Sequence, residues 1–162
     1  TYVSFGSLPG FLAKTNGSKR SVETEPAKIN PLLSILTIKF ALKLSVIFAG
    51  SVSTDLLLPF VLARKPGKLP NETYVKSFDL EYGSTSIEIQ KNTNIEKGQR
   101  VVIIDDLVAT GGTAIACAEL LTENFNVQKS DILILCIIDL PELGGSNLIK
   151  EQGYNIETLV SY

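Results

Sequence analysis

Apolar and polar positions alternate along the chain in a way that marks out strands and helices. "GQRVVIID" (98–105) and "DILILCIID" (131–139) are short continuous apolar runs bounded by polar turns, as expected of strands buried on both faces. Between them, Thr113 to Asn124 has helical spacing. "TYVKSFDLEYGSTSIEIQ" (73–90) alternates in two segments and predicts a β-hairpin, with its turn at Gly83 and Ser84, read as a mobile arm. "YNIETLVSY" (154–162) supplies a last strand. Upstream, Pro31 suits the first turn of a helix running to about Lys43. Leu44 to Ala49 then reads as a strand, "SVSTD" as a loop and "LLPFVLA" as a further strand whose start Pro59 weakens. Apolar strands alternating with helices predict an α/β fold with a central, mostly parallel sheet covered on both faces. Residues 1–28 show no clear periodicity and are read as an irregular segment before a domain at 29–162.

Composition sharpens this picture in a few places. A chain of 162 residues, 44% hydrophobic and 20% charged, suits one domain with a real core. The net charge of −2 gives no general attraction for nucleic acid. With no histidine, the Ser-His-Asp triad, the Cys-His pair and the usual zinc sites are excluded, so acid–base work falls to Asp, Glu, Lys or Tyr. Cys117 and Cys136 read as reduced, buried small hydrophobes. The one long apolar stretch, Leu32 to Gly50, carries Lys39 and Lys43 in its middle. Each would cost roughly 2.5–3.5 kcal/mol at a bilayer centre. Four apart, they would share one wet face of a helix. The expectation is a cytoplasmic protein that does not enter a membrane.

The chemistry is concentrated in "VVIIDDLVATGGT" (101–113). In an open parallel sheet, ligands bind beyond the carboxyl ends of the strands. Asp105 and Asp106 are predicted at such an end, followed by a loop into a helix N-terminus. There, free N–H groups and the helix dipole favour a phosphate. Gly111 and Gly112 allow close backbone approach, and Thr110 and Thr113 offer hydroxyls. Paired carboxylates accept hydrogen bonds from neighbouring sugar hydroxyls, so the string describes a ribose 5-phosphate cradle. It lacks the Gly-Lys-Ser/Thr of a Walker loop and the spacing of GxGxxG. "RKPGKLP" (64–70) gathers Arg64, Lys65 and Lys68 around a Pro-Gly turn, a cation set suited to a polyanion.

The string "VVIIDDLVATGGT" resembles the phosphoribosyl-pyrophosphate signature of type I phosphoribosyltransferases. "RKPGKLP", "LEYGSTSIEIQ" (80–90) and "DLPELGGSNLI" (139–149) resemble the adenine phosphoribosyltransferase family in particular, from about Phe60 to Tyr162. "INPLL" (29–33) is a weaker echo. The resemblance implies the type I phosphoribosyltransferase fold, with a flexible β-hairpin hood. It implies formation of AMP and pyrophosphate from adenine and phosphoribosyl pyrophosphate, with magnesium carried by the substrate, in a homodimer. Asp105 and Asp106 would hold the ribose hydroxyls, and Ala109, Thr110, Gly111, Gly112 and Thr113 the 5-phosphate. Arg64, Lys65 and Lys68 would face the pyrophosphate. Glu81 would be the acid/base at the hood tip, and Tyr82 would help close the site.

Two stretches depart from the family pattern. The family follows its second strand with an Arg-Gly-Phe pyrophosphate loop and a helix. Here "AGSVSTDLLLPFVLARKPGKLP" (49–70) has no such arginine and reads as about ten residues short, with too little chain from Gly50 to Leu56 for a crossover helix. The adenine-covering N-terminal motif survives only as a trace in "SFGSLPGF" (4–11), so no adenine-binding residue is assigned. Alternative roles are a catalytically impaired relative that binds nucleotide, or one that pairs with an active relative.

Overall fold

The computed structural model describes residues 2–3, 36–39, 43–80 and 83–162. Its strands are β1 (Tyr2–Val3), β2 (Leu36–Lys39), β3 (Phe60–Arg64), β4 (Thr73–Leu80), β5 (Gly83–Gln90), β6 (Val101–Val108), β7 (Ile132–Asp139) and β8 (Asn155–Ser161). Helices α1 (Lys43–Asp55), α2 (Gly112–Phe125) and α3 (Gly145–Glu151) connect β2 to β3, β6 to β7 and β7 to β8. The strand order is β4-β5-β3-β2-β1-β6-β7-β8, with β2 also touching β6. Pairs β2–β3, β2–β6, β6–β7 and β7–β8 are parallel, which makes the expected mostly parallel sheet. Strand β1 lies antiparallel between β2 and β6, inside the segment read as irregular. The rest of residues 1–28 lies outside the described residues.

The sheet is covered on both faces. Helix α2 buries Ala114, Cys117, Leu121 and Phe125 against Ile87, Ile103, Ile132 and Ile134, with α3 adding Ile149. On the opposite face, Ala49 of α1 packs with Val102 and Ile104, flanked by Val52, Leu58, Leu133 and Leu135. Both cysteines are buried and neither forms a disulfide, as read from their positions. Among the described residues no helix is long and apolar enough to cross a membrane.

The region between 31 and 59 corrects the sequence expectation. The predicted helix ending near Lys43 holds strand β2 at Leu36–Lys39, and the predicted strand Leu44–Ala49 lies inside helix α1. Lys39 and Lys43 therefore do not share a helical face: one ends a strand and the other opens a helix. The β-branched and aromatic residues of "KLSVIFAGSVSTD" argue locally for a strand. Tertiary context overrides them, because two parallel neighbours need a crossover of about a dozen residues. The 13 residues of α1 supply it, so the crossover is not short. Ser53 and Thr54 donate their hydroxyls to the Gly50 carbonyl at 3.0 and 2.7 Å, which accommodates both within the helix. "SVSTD" is the last part of α1 rather than a loop.

Beyond β3 the expectations hold more closely. Hairpin β4/β5 forms, but Leu80 pairs with Gly83, so pairing continues through the predicted Gly83–Ser84 turn. Glu81 and Tyr82 link the two strands and lie outside the described residues. Strand β5 runs antiparallel to β3 and β4 antiparallel to β5, so β4 points the same way as β3. The hairpin's linking end therefore rises at the sheet's carboxyl edge. The hairpin leans on α2: Lys76 bridges Glu119 at 3.0 Å and Glu123 at 2.6 Å, and the Tyr74 ring meets Phe125 edge-on at 5.5 Å.

Helix α1 closes with an αL residue, Leu57, at φ 53°. Leu57 N–H donates to the Thr54 carbonyl at 3.2 Å and Leu58 N–H to the Ser53 carbonyl at 2.8 Å, the paired bonds of a Schellman turn. Glycine normally fills this position because a Cβ is strained there. Leu57 is 79% exposed, so removing its side chain forfeits little burial. Leu57→Gly is expected to stabilise the fold by about 1 kcal/mol. Calorimetry should show a melting temperature higher by about 2–4 °C.

Candidate active site

The parallel topology brings the ends of β3 and β6 to one edge of the sheet. Arg64 is the last residue of β3, and its half-buried guanidinium has no hydrogen-bond partner for Nε. Lys65 and Lys68 follow on the exposed turn, where Gly67 adopts φ 75°. Two to three strand spacings separate this turn from β6, about 10–14 Å along the edge.

Asp105 and Asp106 belong to β6 itself, which continues to Val108 before the loop begins. Asp105 pairs in register with Cys136 and is only 5% exposed, whereas Asp106 is half-exposed. The Asp106 N–H donates to Asp105 Oδ1 at 3.0 Å. Burial raises the Asp105 pKa from 3.8 to about 8, the charge of Asp106 adds to the rise, and the Asp106 N–H opposes it. The ligand-free pair is thus one protonated acid beside a more exposed carboxyl group, able both to donate to and accept from sugar hydroxyls. Burial, then Asp105, Asp139 and Asp106, push the Cys136 thiol upward, which leaves it an inert core residue.

The loop after β6 enters α2 through Gly111 in the left-handed region, φ 79° and ψ −12°, and no side chain caps the helix. The N–H groups of its first turn therefore have no partner within the helix. Thr110 and Thr113 are half-exposed at this mouth. Two contacts shape it. A Cβ on Gly145 would stand 2.2 Å from the Ala109 carbonyl oxygen and 2.6 Å from the Gly111 nitrogen. The Gly145 N–H donates to that same carbonyl at 3.0 Å. On the other side, a Cβ on Gly112 would lie 3.3 Å from Phe78 Cδ2 of the hairpin.

Most of the residues expected at the site thus gather on one edge: Arg64, Lys65 and Lys68 at the end of β3, and Asp105, Asp106, Ala109, Thr110, Gly111, Gly112 and Thr113 around the end of β6. Gly145 and Phe78 are additions. Gly145 stands in the "ELGGS" of 142–146 (a doubled glycine at a helix start), but only the fold reveals which backbone it meets.

The phosphoribosyl transferase domain profile matches residues 35–145, which contain both the turn after β3 and the loop after β6. The chain belongs to the phosphoribosyltransferase family. The adenine phosphoribosyltransferase of Erythrobacter litoralis is 44% identical over 117 residues, 72% of this chain and 63% of the relative. That of Actinobacillus succinogenes is 44% identical over 116 residues, 72% and 62% of the two chains. The chain thus spans less than two thirds of the length of these curated relatives. Among solved structures, the adenine phosphoribosyltransferase of Thermoanaerobacter pseudethanolicus superposes with a TM-score of 0.65 at 38% identity, over 77% of this chain and 67% of that one. The Giardia lamblia enzyme complexed with 9-deazaadenine gives 0.65 at 31% identity, over 72% and 64%. This phosphoribosyltransferase chain therefore has the type I fold expected from its sequence.

Folded Asp105 keeps its proton up to about pH 8, whereas the unfolded chain releases it near pH 3.8. Between these values the folded state binds more protons, so this group's contribution to stability falls as pH rises. Asp105→Asn, which stays neutral, is expected to gain stability over the native chain by up to about 4 kcal/mol between about pH 5 and about pH 8. Ligand-free denaturant unfolding at both pH values measures the difference; an equal effect at the two would contradict the buried, protonated state.

Proposed function

We propose that the chain is an adenine phosphoribosyltransferase, forming AMP and pyrophosphate from adenine and phosphoribosyl pyrophosphate. One observation carries this reading. Adjacent aspartates near the end of β6 are followed by a glycine-led helix N-terminus that no side chain caps. In the proposed mechanism Asp105 and Asp106 hold the ribose hydroxyls, and the amides of Ala109 to Thr113 bind the 5-phosphate. Arg64, Lys65 and Lys68 face the departing pyrophosphate, where fixed positive charge stabilises what develops in the transition state. Glu81 acts as acid/base near the purine and Tyr82 helps close the hood, which excludes water from a cation-like anomeric centre. Magnesium, carried by the substrate, would supply charge neutralisation on the pyrophosphate. We place the phosphoribosyltransferase domain at 29–162 and assign a cytoplasmic homodimer.

A second reading, a nucleotide-binding relative with weakened turnover, is favoured by one feature. Strand β2 ends at Lys39 and α1 begins at Lys43, so Phe40, Ala41 and Leu42 connect a strand to a helix where the family pattern has its arginine loop. They contain no arginine. Loss of one electrostatic donor at a developing anion costs about 100-fold or more in turnover. A spectrophotometric assay of AMP formation, run beside the Erythrobacter litoralis relative, should show AMP formed at a rate lower by about that factor. Equal turnover would reject the impairment. No turnover, with AMP binding retained in calorimetry, would make the chain a binding protein.

A further inference from the structure

Glu88 sits in β5 between Ile87 and Ile89, whose side chains belong to the core. Alternation sends Glu88 to the other face of the hairpin, where a glutamate ordinarily meets water. It is instead 4% exposed. The cover is the "RKPGKLP" turn, which folds back over it after Gly67. Lys68 N–H donates to Glu88 Oε1 at 3.0 Å, and Leu69 N–H donates to the same oxygen at 3.2 Å. The Thr73 hydroxyl donates to Oε2 at 3.1 Å. A side chain from one strand thus anchors the backbone of the loop that leaves its neighbour. Arg64 is the register partner of Glu88 across β3 and β5, yet among the described residues it forms no ion pair, and its Nε has no partner. The carboxylate is turned to backbone amides rather than to its register neighbour Arg64.

We infer that Glu88 is the positioning residue of the polyanion turn: by holding the Lys68 and Leu69 amides it presets the turn for a diphosphate. The inference rests on the reading of Arg64, Lys65 and Lys68 as the pyrophosphate site. A turn ordered before binding loses little entropy when the anion arrives, and charge-assisted bonds from amides to a carboxylate are the strong kind. Removing the acceptor frees two amides that need partners and lets the turn fluctuate.

The test compares Glu88→Leu, which keeps bulk without an acceptor, with Glu88→Gln, which keeps an acceptor oxygen. Each is titrated with magnesium pyrophosphate and, separately, with AMP, the ligand proposed for the β6 loop. Trypsin cleavage at Lys68–Leu69 is followed in parallel; Lys65 is blocked by Pro66. For Glu88→Leu, pyrophosphate affinity is expected to fall by at least about tenfold, with AMP affinity unchanged and cleavage faster. Glu88→Gln, which keeps an acceptor oxygen without its charge, is expected to recover part of the loss, with all readouts between those of Glu88→Leu and the native chain. Thr73→Val, which removes only the hydroxyl bond, should give the same direction at smaller size and guards against a Leu variant that fails to fold. Native binding of pyrophosphate, with unchanged affinity and cleavage in Glu88→Leu, overturns this inference alone. A native chain that binds AMP but no pyrophosphate overturns the assignment of the turn, and this inference with it.

Discussion

The site depends on two backbones approaching where no side chain fits. Gly145 at the start of α3 presses against Ala109, Thr110 and Gly111, and its N–H closes on the Ala109 carbonyl. That contact sets the path of the chain between β6 and α2. It places Gly111 in the left-handed region, where α2 begins with no side-chain cap. An open helix end costs a stabilising interaction that a Ser or Asp cap would provide, about 1 kcal/mol. The fold leaves it open at the place where an anion has most to gain from free amides and the helix dipole.

The neighbouring acids carry a similar cost. Asp105 is buried beside Cys136 and close to Asp106, and it stays protonated to about pH 8 as a result. An apolar residue there would suit the strand better. The hood side shows how the rest of the fold supports the site. Hairpin β4/β5 is fixed to α2 through Lys76, Tyr74 and Phe78, and its Glu88 grips the turn after β3. One hairpin therefore touches both helix α2 and the turn after β3. The same element thus fixes the geometry of both the start of α2 and the turn after β3.

Much of this was legible in the order of residues. The apolar runs of β6 and β7 and the helix between them follow from strand and helix periodicity, and "DDLVATGGT" is legible as a strand end, a glycine turn and a helix start. The stretch from 31 to 59 misleads for a physical reason. Val46, Ile47 and Phe48 favour a strand locally, while two parallel strands force the segment joining them into a crossover helix. Glu88 was hidden differently. In "SIEIQ" it has the ordinary polar place on a half-exposed strand, and only the fold shows a turn lying over it. Gly145 is readable as a turn glycine, but its partner is far away in sequence. Long-range backbone contact leaves no local signature.

The central claim is that open amides at the start of α2 grip the anionic end of a pentose phosphate. Ribose 5-phosphate titrated into the isotopically labelled chain, and into Gly145→Ala, tests it by amide nuclear magnetic resonance. The account predicts large shifts at Gly111, Gly112, Thr113 and Ala114 in the native chain, and their loss or strong weakening in the variant. Shifts confined to other amides, or equal binding by Gly145→Ala, would contradict it.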